Sequence, residues 1–186
     1  MGLATFIGGI HPYEGKELSE DKPIQFIVPE KGEEMVYPLS QHIGAPAKPL
    51  VAKGDQVLKG QIIAEAGGFI SANVLSSVSG TVKGIEPRLV ANGAMVQSII
   101  VENDGEENAI EGFGNARDYT KLSKEEIRNI IKEAGIVGLG GAGFPTHVKL
   151  TPKDEAAIDH VIVNGAECEP CLLYTSPSPR DSTSSR

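Results

Sequence analysis

The sequence is poor in the residues that mark several classes of protein. It has no tryptophan, and only three methionines, five phenylalanines and four tyrosines among 186 residues, too few for an amphipathic membrane anchor. Its longest uncharged stretch, Ala66 to Val82, is interrupted by Gly, Ser and Asn, so no membrane-spanning helix is predicted. The formal net charge is −8, and we therefore expect no nucleic-acid partner. The amino end has no basic region before an apolar stretch, so no signal peptide is predicted either.

Cysteine is also scarce, with Cys168 and Cys171 as the only two. They spell C-x-x-C, but a lone C-x-x-C supplies only two ligands, so we predict no metal site. From residue 171 the composition changes abruptly to Ser, Thr, Pro and Arg without periodicity. We interpret residues 171–186 as an artefactual tail and exclude them from the expected fold.

Glycine, by contrast, is abundant and is concentrated in one short segment. Four glycines lie within six positions: Gly138, Gly140, Gly141 and Gly143. Glycine permits positive φ and lets a phosphate come close to backbone amides, which together form a concave anion site. Pro145 suits the first turn of a following helix, whose positive end would face the same anion, with Lys149 about one turn further on. Residues 138–144, called the glycine loop below, are therefore predicted to bind a phosphate.

The segment before the glycine loop is predicted to be a helix. Ser123 and Glu126 have the spacing of a capping box, and Gly135 would end the helix. One apolar stripe is expected between them, formed by Ile127, Ile130, Ile131 and Ala134. This helix–loop–helix order differs from the strand–loop–helix order of the Rossmann fingerprint. A tight helix–helix turn therefore stays open as an alternative interpretation of the glycines.

A second segment, downstream, favours a ligand site. Asp159 to Val163 is predicted to be a short buried strand, and Asn164 and Glu167 follow at its carboxyl end. Ligands bind at that edge in open α/β sheets. The amide could fix the polar edge of a ring, and the carboxylate could hold ribose hydroxyls. A strand-end turn with solvated acids is the alternative.

These two segments carry a family resemblance. The run G-L-G-G-A-G-F-P-T-H-V-K (138–149), followed by V-N-G-A-E-C-E-P (163–170), resembles the flavin-binding subunit of respiratory NADH dehydrogenases. The chain is more similar still to the C subunits of Rnf complexes, from G-G-I-H-P at 8–12 through to residue 170. Two positions depart from the flavoprotein pattern, since Leu139 replaces its arginine and Ala166 its aspartate.

The resemblance implies the ligands and the residues that would contact them. It places Gly138, Gly140, Gly141 and Gly143 around the phosphate of FMN, with Lys149 and Asn164 also contacting FMN. It places Phe144 and Glu167 against NAD(H). It assigns no catalytic side chain and no metal ligand within the chain, and it implies two [4Fe–4S] clusters in a carboxyl-terminal part that the chain lacks.

The first hundred residues predict a different module. Pro49 to Ala64 is expected to form two short strands joined by a Gly54-Asp55 turn, and Ser71 to Ile85 two more with Gly80 in the turn. The layout K-G-D-x-V-x-x-G-Q, then S-G-T-V, resembles lipoyl/biotinyl sandwiches. The tip that would carry the modified lysine is Ala66 to Phe69, which has none, so we expect a scaffold rather than a carrier. The four histidines, His42 among them, are interpreted as surface or turn residues.

The expected fold class is α+β, a lipoyl/biotinyl-like β barrel-sandwich module followed by the truncated start of an α/β FMN/NADH-binding domain. The expected boundaries are 1–103 for the module with an irregular amino-terminal arm, 104–118 for a linker, and 119–170 for the start of the nucleotide domain.

The resemblance implies an NADH-linked oxidoreductase subunit of a membrane-associated, ion-translocating ferredoxin:NAD oxidoreductase, as an amino-terminal fragment that is inactive alone. Its partners would be other subunits of the complex, NAD(H) and, indirectly, ferredoxin. Those subunits would hold it at the cytoplasmic face of the membrane. The alternatives are a flavoprotein subunit of a soluble NADH dehydrogenase or hydrogenase, and a non-catalytic lipoyl-like scaffold.

Overall fold

The computed structural model describes Asp21, Pro23 and residues 28–139 and 143–160. The chain divides into two compact units, one of residues 28–157 and one made of the two chain ends. Within the second unit, the described residues 158–160 are exposed and form neither helix nor strand. The fold below is that of residues 28–157.

The described part of the chain is mostly sheet with few helices. Seven strands come first: β1 (Glu34–Pro38), β2 (Lys48–Pro49), β3 (Gln56–Val57), β4 (Ile62–Glu65), β5 (Val74–Leu75), β6 (Gly80–Leu89) and β7 (Met95–Asn103). A 3-10 turn (Tyr119–Lys121) and two helices follow: α1 (Lys124–Glu133) and α2 (Thr146–Lys149).

The strands form two antiparallel sheets that share one core. One sheet has the order β1-β7-β6-β3 and the other β2-β4-β5. In β7, Ile99 and Val101 both belong to the core, because side chains two residues apart in a strand lie on the same face of the sheet. A single cluster of buried side chains joins both sheets: Tyr37, Leu39, Ala47, Val57, Ile63, Ala64, Val74, Val78, Val82, Ile99 and Val101. Because both sheets contribute to it, we call residues 34–103 the β sandwich.

The predicted strands between residues 49 and 64 do not pair directly across the Gly54-Asp55 turn, although Pro49 of β2 does pair antiparallel with Ala64 of β4. The Gly54-Asp55 turn does precede a strand, but β3 pairs with β6, whereas β4 pairs with β2 and β5. Gly54 has a φ of 97° and shapes this turn as expected. The chain therefore crosses to the other sheet at β3 before β4 folds back onto β2, and local turn chemistry cannot reveal this excursion.

Gly80 also has a role other than the predicted one. It lies not in a turn but at the start of β6, paired with Asn103 of β7 and Val57 of β3. A Cβ atom on Gly80 would lie 2.0 Å from the carbonyl oxygen of Glu102. Glycine is required there because two backbones approach closely.

Residues 108–113, within the predicted linker, contact the β sandwich. Ala109 forms a parallel bridge with Lys59, and the amide of Asn108 donates to the Ser79 hydroxyl at 3.0 Å. The side chain of Phe113 lies against Gly60, where a Cβ would come within 2.5 Å of the ring. The domain boundaries at 103 and 118 stay predictions.

Candidate functional site

The helix before the glycine loop forms for the reasons that its sequence indicates. The Ser123 hydroxyl accepts a hydrogen bond from the amide of Glu126 at 3.2 Å, and the Glu126 carboxylate accepts one from the Ser123 amide at 2.7 Å. These bonds satisfy two of the amides left free at a helix start, and they lower the pKa of Glu126. Gly135, with a φ of 63°, comes directly after the C-cap residue Ala134 and ends α1 as predicted.

Residues 154–157 are held against α1 by ion pairs of Glu155. The Glu155 carboxylate accepts hydrogen bonds from Arg128 and, at 3.3 Å, from the Lys124 ammonium. These two bonds, Arg128 contributing most, hold the pKa of Glu155 below its usual range. The segment that leaves the glycine loop is thus tied back to the helix that enters it.

The glycine loop itself is closed at its base by backbone pairing. Val137 and Pro145 form an antiparallel bridge. The Gly138 amide donates to the Phe144 carbonyl at 3.0 Å, and the Thr146 amide donates to the Ile136 carbonyl, also at 3.0 Å. The loop therefore begins and ends at one narrow neck, formed by residues 136–138 and 144–146. A plain helix–helix turn does not need this geometry.

This neck brings Gly138 and Lys149 together. A Cβ atom on Gly138 would lie 3.7 Å from the Phe144 amide nitrogen and 3.9 Å from the Lys149 ammonium. Lys149 is exposed at the end of α2, and within the described ranges no carboxylate forms an ion pair with it. Pro145 precedes α2 as its N-cap residue, one position before the predicted first turn. The backbone of Gly138 and a cation thus border the same small space.

Gly143 is placed differently from Gly138. It is buried and has a φ of 63°. Its Cβ would lie 2.7 Å from the carbonyl oxygen of Gln41 and 2.9 Å from the Cα atom of His42. This close approach is to the β sandwich, whereas a Cβ atom on Gly138 would make only ordinary van der Waals contacts.

The remaining predicted site residues divide into described and undescribed ones. Phe144 is half-buried at the neck. Gly140, Gly141, Asn164 and Glu167 lie outside the described residues, as does 161–163 of the predicted strand. Leu139, which stands where the flavoprotein pattern has arginine, is 96% exposed.

Electrostatics at the neck are basic on the described side. His147 of α2 is half-buried, and this burial, followed by the charge of Lys132, lowers its pKa. Burial and the nearby Lys132 thus favour the neutral form of the imidazole over the charged one. An anion bound at Gly138 would meet the charge of Lys149, whose ammonium lies 3.9 Å from the Cβ position there.

His42 lies in a bend of the chain, residues 42–45, but it is not a surface residue. Its side chain is only 8% exposed, and its Nε2 accepts a hydrogen bond from the Ala72 amide at 3.1 Å. Its Nδ1 lies 3.1 Å from the Ile43 carbonyl oxygen, to which it donates in the tautomer that this arrangement requires. Sequence reasoning missed both His42 and Gln41 because their contacts join segments far apart in the chain.

A surface groove of about 580 Å³ opens beside Gly143. It lies between the loop after β1 and the β6–β7 turn, and its lining is neutral: Pro38, Ser40, Gln41, His42, Ile43, Val90, Ala91, Asn92 and Gly143. With no lysine or arginine in its lining, it lacks the charge that would favour a phosphate.

The tip that a lipoyl/biotinyl carrier would modify lies between β4 and β5. It presents Phe69, which is 78% exposed, and no lysine. In the described ranges, none of the helices is long and apolar enough to cross a bilayer. The same ranges contain no group of three or more His, Cys, Asp or Glu side chains placed to hold a metal ion.

Comparison with known protein families gives two matches along the chain. Residues 4–106 match the RnfC barrel sandwich hybrid domain, which covers the β sandwich. Residues 131–177 match the Nuo51 FMN-binding domain, which covers the end of α1, the glycine loop and α2.

Individual relatives agree with these matches. The chain is 46% identical over 171 residues to the C subunit of the proton-translocating ferredoxin:NAD(+) oxidoreductase complex of Clostridium ljungdahlii, covering 91% of this chain and 37% of that protein. It is 45% identical over 171 residues to the C subunit of the Na(+)-translocating complex of Acetobacterium woodii, covering 90% and 38%. It is 42% identical over 172 residues to the C subunit of the ion-translocating oxidoreductase complex of Pseudomonas aeruginosa, covering 91% of this chain and 22% of that protein.

The chain therefore spans well under half the length of the curated relatives that it matches. The family match nevertheless extends over more than half of the chain itself. By these matches the chain belongs to the RnfC family.

Proposed function

We propose that the chain is part of an electron-entry subunit of a membrane-associated, ion-translocating ferredoxin:NAD oxidoreductase. In this role it passes electrons between NAD(H), FMN and iron–sulfur clusters. The relatives' names support the reaction class and its substrates. The match of residues 131–177 to an FMN-binding domain supports the cofactor.

The observation that carries the proposal is the space shared by Gly138 and Lys149. A methyl group at Gly138 would fill this space, with the Phe144 amide nitrogen 3.7 Å away and the Lys149 ammonium 3.9 Å away. A phosphate needs a close approach to backbone and a positive charge, and this space offers both. The residues at the neck therefore fit the phosphate of FMN.

Each residue of the proposed site has a distinct task. Gly138, Gly140, Gly141 and Gly143 shape the backbone around the phosphate, Lys149 supplies charge, and Asn164 binds the flavin further along. Phe144 and Glu167 contact the nicotinamide dinucleotide. FMN, when bound, supplies the exchange between two-electron chemistry at NAD(H) and one-electron transfer to the clusters, while the protein binds and orients the reactants.

The proposal extends to the architecture and the partners. The β sandwich is a lipoyl/biotinyl-like scaffold without a carrier lysine, and residues 119–170 begin an α/β FMN/NADH-binding domain. Two [4Fe–4S] clusters belong to the remainder of the subunit. Other subunits of the complex hold this one peripherally at the cytoplasmic face of the membrane, with ferredoxin as an indirect partner.

The test is FMN affinity in a chimeric subunit whose matching segment, from the Clostridium ljungdahlii relative, is replaced by residues 1–170 of this chain. Gly138→Ala should weaken FMN at least about tenfold, because displaced hydrogen bonds to a charged group are worth roughly 1.5–3 kcal/mol each. Lys149→Ala should weaken FMN in a salt-dependent way, whereas Lys149→Arg should retain more affinity. Flavin fluorescence quenching gives the affinity at each salt concentration.

Gly84→Ala is the matched control, since no atom lies within 4 Å of the Cβ position at Gly84. It should leave FMN affinity unchanged. Unchanged FMN affinity in Gly138→Ala would contradict the proposed site. A chimera that binds no flavin at all would favour the scaffold alternative.

A further inference from the structure

The end of α1 lies directly on the β sandwich. A Cβ atom on Gly135 would come within 2.3 Å of the Asn73 carbonyl oxygen and 3.0 Å of a Leu75 methyl group. The Asn73 side-chain amide also donates to the Glu133 carbonyl at 3.4 Å. The chain therefore enters the glycine loop from a fixed point beside β5.

The far end of the loop is fixed in the same way. Gly143 lies against Gln41 and His42 so closely that a Cβ would come within 2.7 Å and 2.9 Å of their backbone atoms. Both Gly135 and Gly143 have a φ of 63°, a conformation that side chains disfavour. Two glycines on either side of Gly138 thus serve contact with the sandwich.

The two contact points belong to one rigid surface, made of residues 41–45 and 70–73, which we call the platform. The Ala72 amide donates to His42 Nε2 at 3.1 Å across the two segments. The Ser71 hydroxyl donates to a carbonyl of the first segment at 2.8 Å. Both His42 and Ser71 are buried, so these bonds are shielded from water and hold the segments together.

We infer that the platform is a working part of the phosphate site, with His42 and Asn73 as positioning residues that hold both ends of the glycine loop. This inference rests on the proposed function. A loop ordered before its ligand arrives loses less conformational entropy on binding. The β sandwich would therefore raise the affinity for FMN without touching it.

Asn73→Asp isolates this effect from folding of the sandwich. The Asn73 Oδ1 atom accepts a hydrogen bond from the Ala66 amide at 2.9 Å, which aspartate preserves. Only the donation to the Glu133 carbonyl is lost, and a carboxylate there repels that oxygen. Gly143→Ala is the stronger variant, because it displaces the loop from Gln41 and His42.

The experiment combines two measurements. Hydrogen exchange on the full chain follows the amides of Gly138 and Thr146, both bonded at the neck. FMN affinity is measured in the chimera. Asn73→Asp and Gly143→Ala should each speed exchange at the neck and weaken FMN about tenfold, and Asn73→Asp should do so with an unchanged melting temperature. Gly138→Ala should weaken FMN with unchanged exchange.

The outcomes separate the two hypotheses. Unchanged hydrogen exchange at the neck in both Asn73→Asp and Gly143→Ala overturns the inference about the platform. Faster exchange with unaltered FMN affinity overturns it as well. In either case a loss of FMN in Gly138→Ala leaves the proposed function standing. If Gly138→Ala also keeps its FMN, the phosphate site itself is wrong.

Discussion

The β sandwich and the helical segment that carries the glycine loop derive their order from different sources. The sandwich has its own core, in which Ile63, Ile99 and Val101 are fully buried. Neither α1 nor α2 contains a buried residue. The helix α1 is ordered by its capping box, by Glu155 and by contact of its carboxyl end with the platform, so the proposed ligand site depends on a neighbour for its shape.

Core truncation should show the largest difference between the two regions. Ile63→Ala removes a fully buried side chain and should lower the free energy of unfolding by about 2–5 kcal/mol. The matched change Ile130→Ala in α1, where the side chain is half-buried, should cost about 1 kcal/mol. Urea denaturation followed by circular dichroism measures both. Equal losses would show that α1 shares the core of the sandwich.

Two glycines in β6 allow the effect of a close backbone contact on stability to be compared within the sandwich. Gly80→Ala forces a Cβ against the Glu102 carbonyl and should destabilise the fold by about 3 kcal/mol. Gly84→Ala, on the same strand with open space around it, should change stability by less than about 0.5 kcal/mol. Thermal unfolding compares the two, and a stable Gly80→Ala protein would contradict the close approach of β6 to β7.

Loss of the α1 cap should have a smaller and local effect. Ser123→Ala removes one half of the capping box and should destabilise α1 by about 1 kcal/mol. Hydrogen exchange at α1 amides should rise while amides of β7 keep their protection, since the cap does not touch the core. Ser123→Asp restores an acceptor and should restore the protection. A uniform rise across the sandwich would mean that the two regions unfold together.

The smallest expected effect is the pH dependence from His147. Its pKa is lowered in the fold by burial and then by Lys132, so the unfolded chain binds a proton more readily. Stability is therefore complete above the ordinary value of 6.5 and decreases as pH falls through it. His147→Gln should remove this decrease. The test is the difference in melting temperature between the two proteins from about pH 8 to pH 5.

Local elements of the helical segment could be predicted because their causes are local. The capping box of Ser123 and Glu126 acts over three residues, and Gly135 ends α1 through its own φ. In the sandwich the same kind of reasoning located short strands but missed that β3 joins the other sheet, and it misassigned the role of Gly80. The partner of β3 is β6, more than twenty residues away, and nothing in the sequence near Gly54 indicates it.

Three features could be identified from the amino-acid sequence alone: the family, the glycine loop with Lys149, and the absence of a lysine at the Ala66–Phe69 tip. Each of these is a property of residue types in a fixed order. The folded chain was needed to show that a Cβ atom on Gly138 would meet only ordinary contacts, whereas one on Gly143 would collide with His42. The two glycines look alike in the sequence, but the space around a Cβ is set by whatever distant segment packs there.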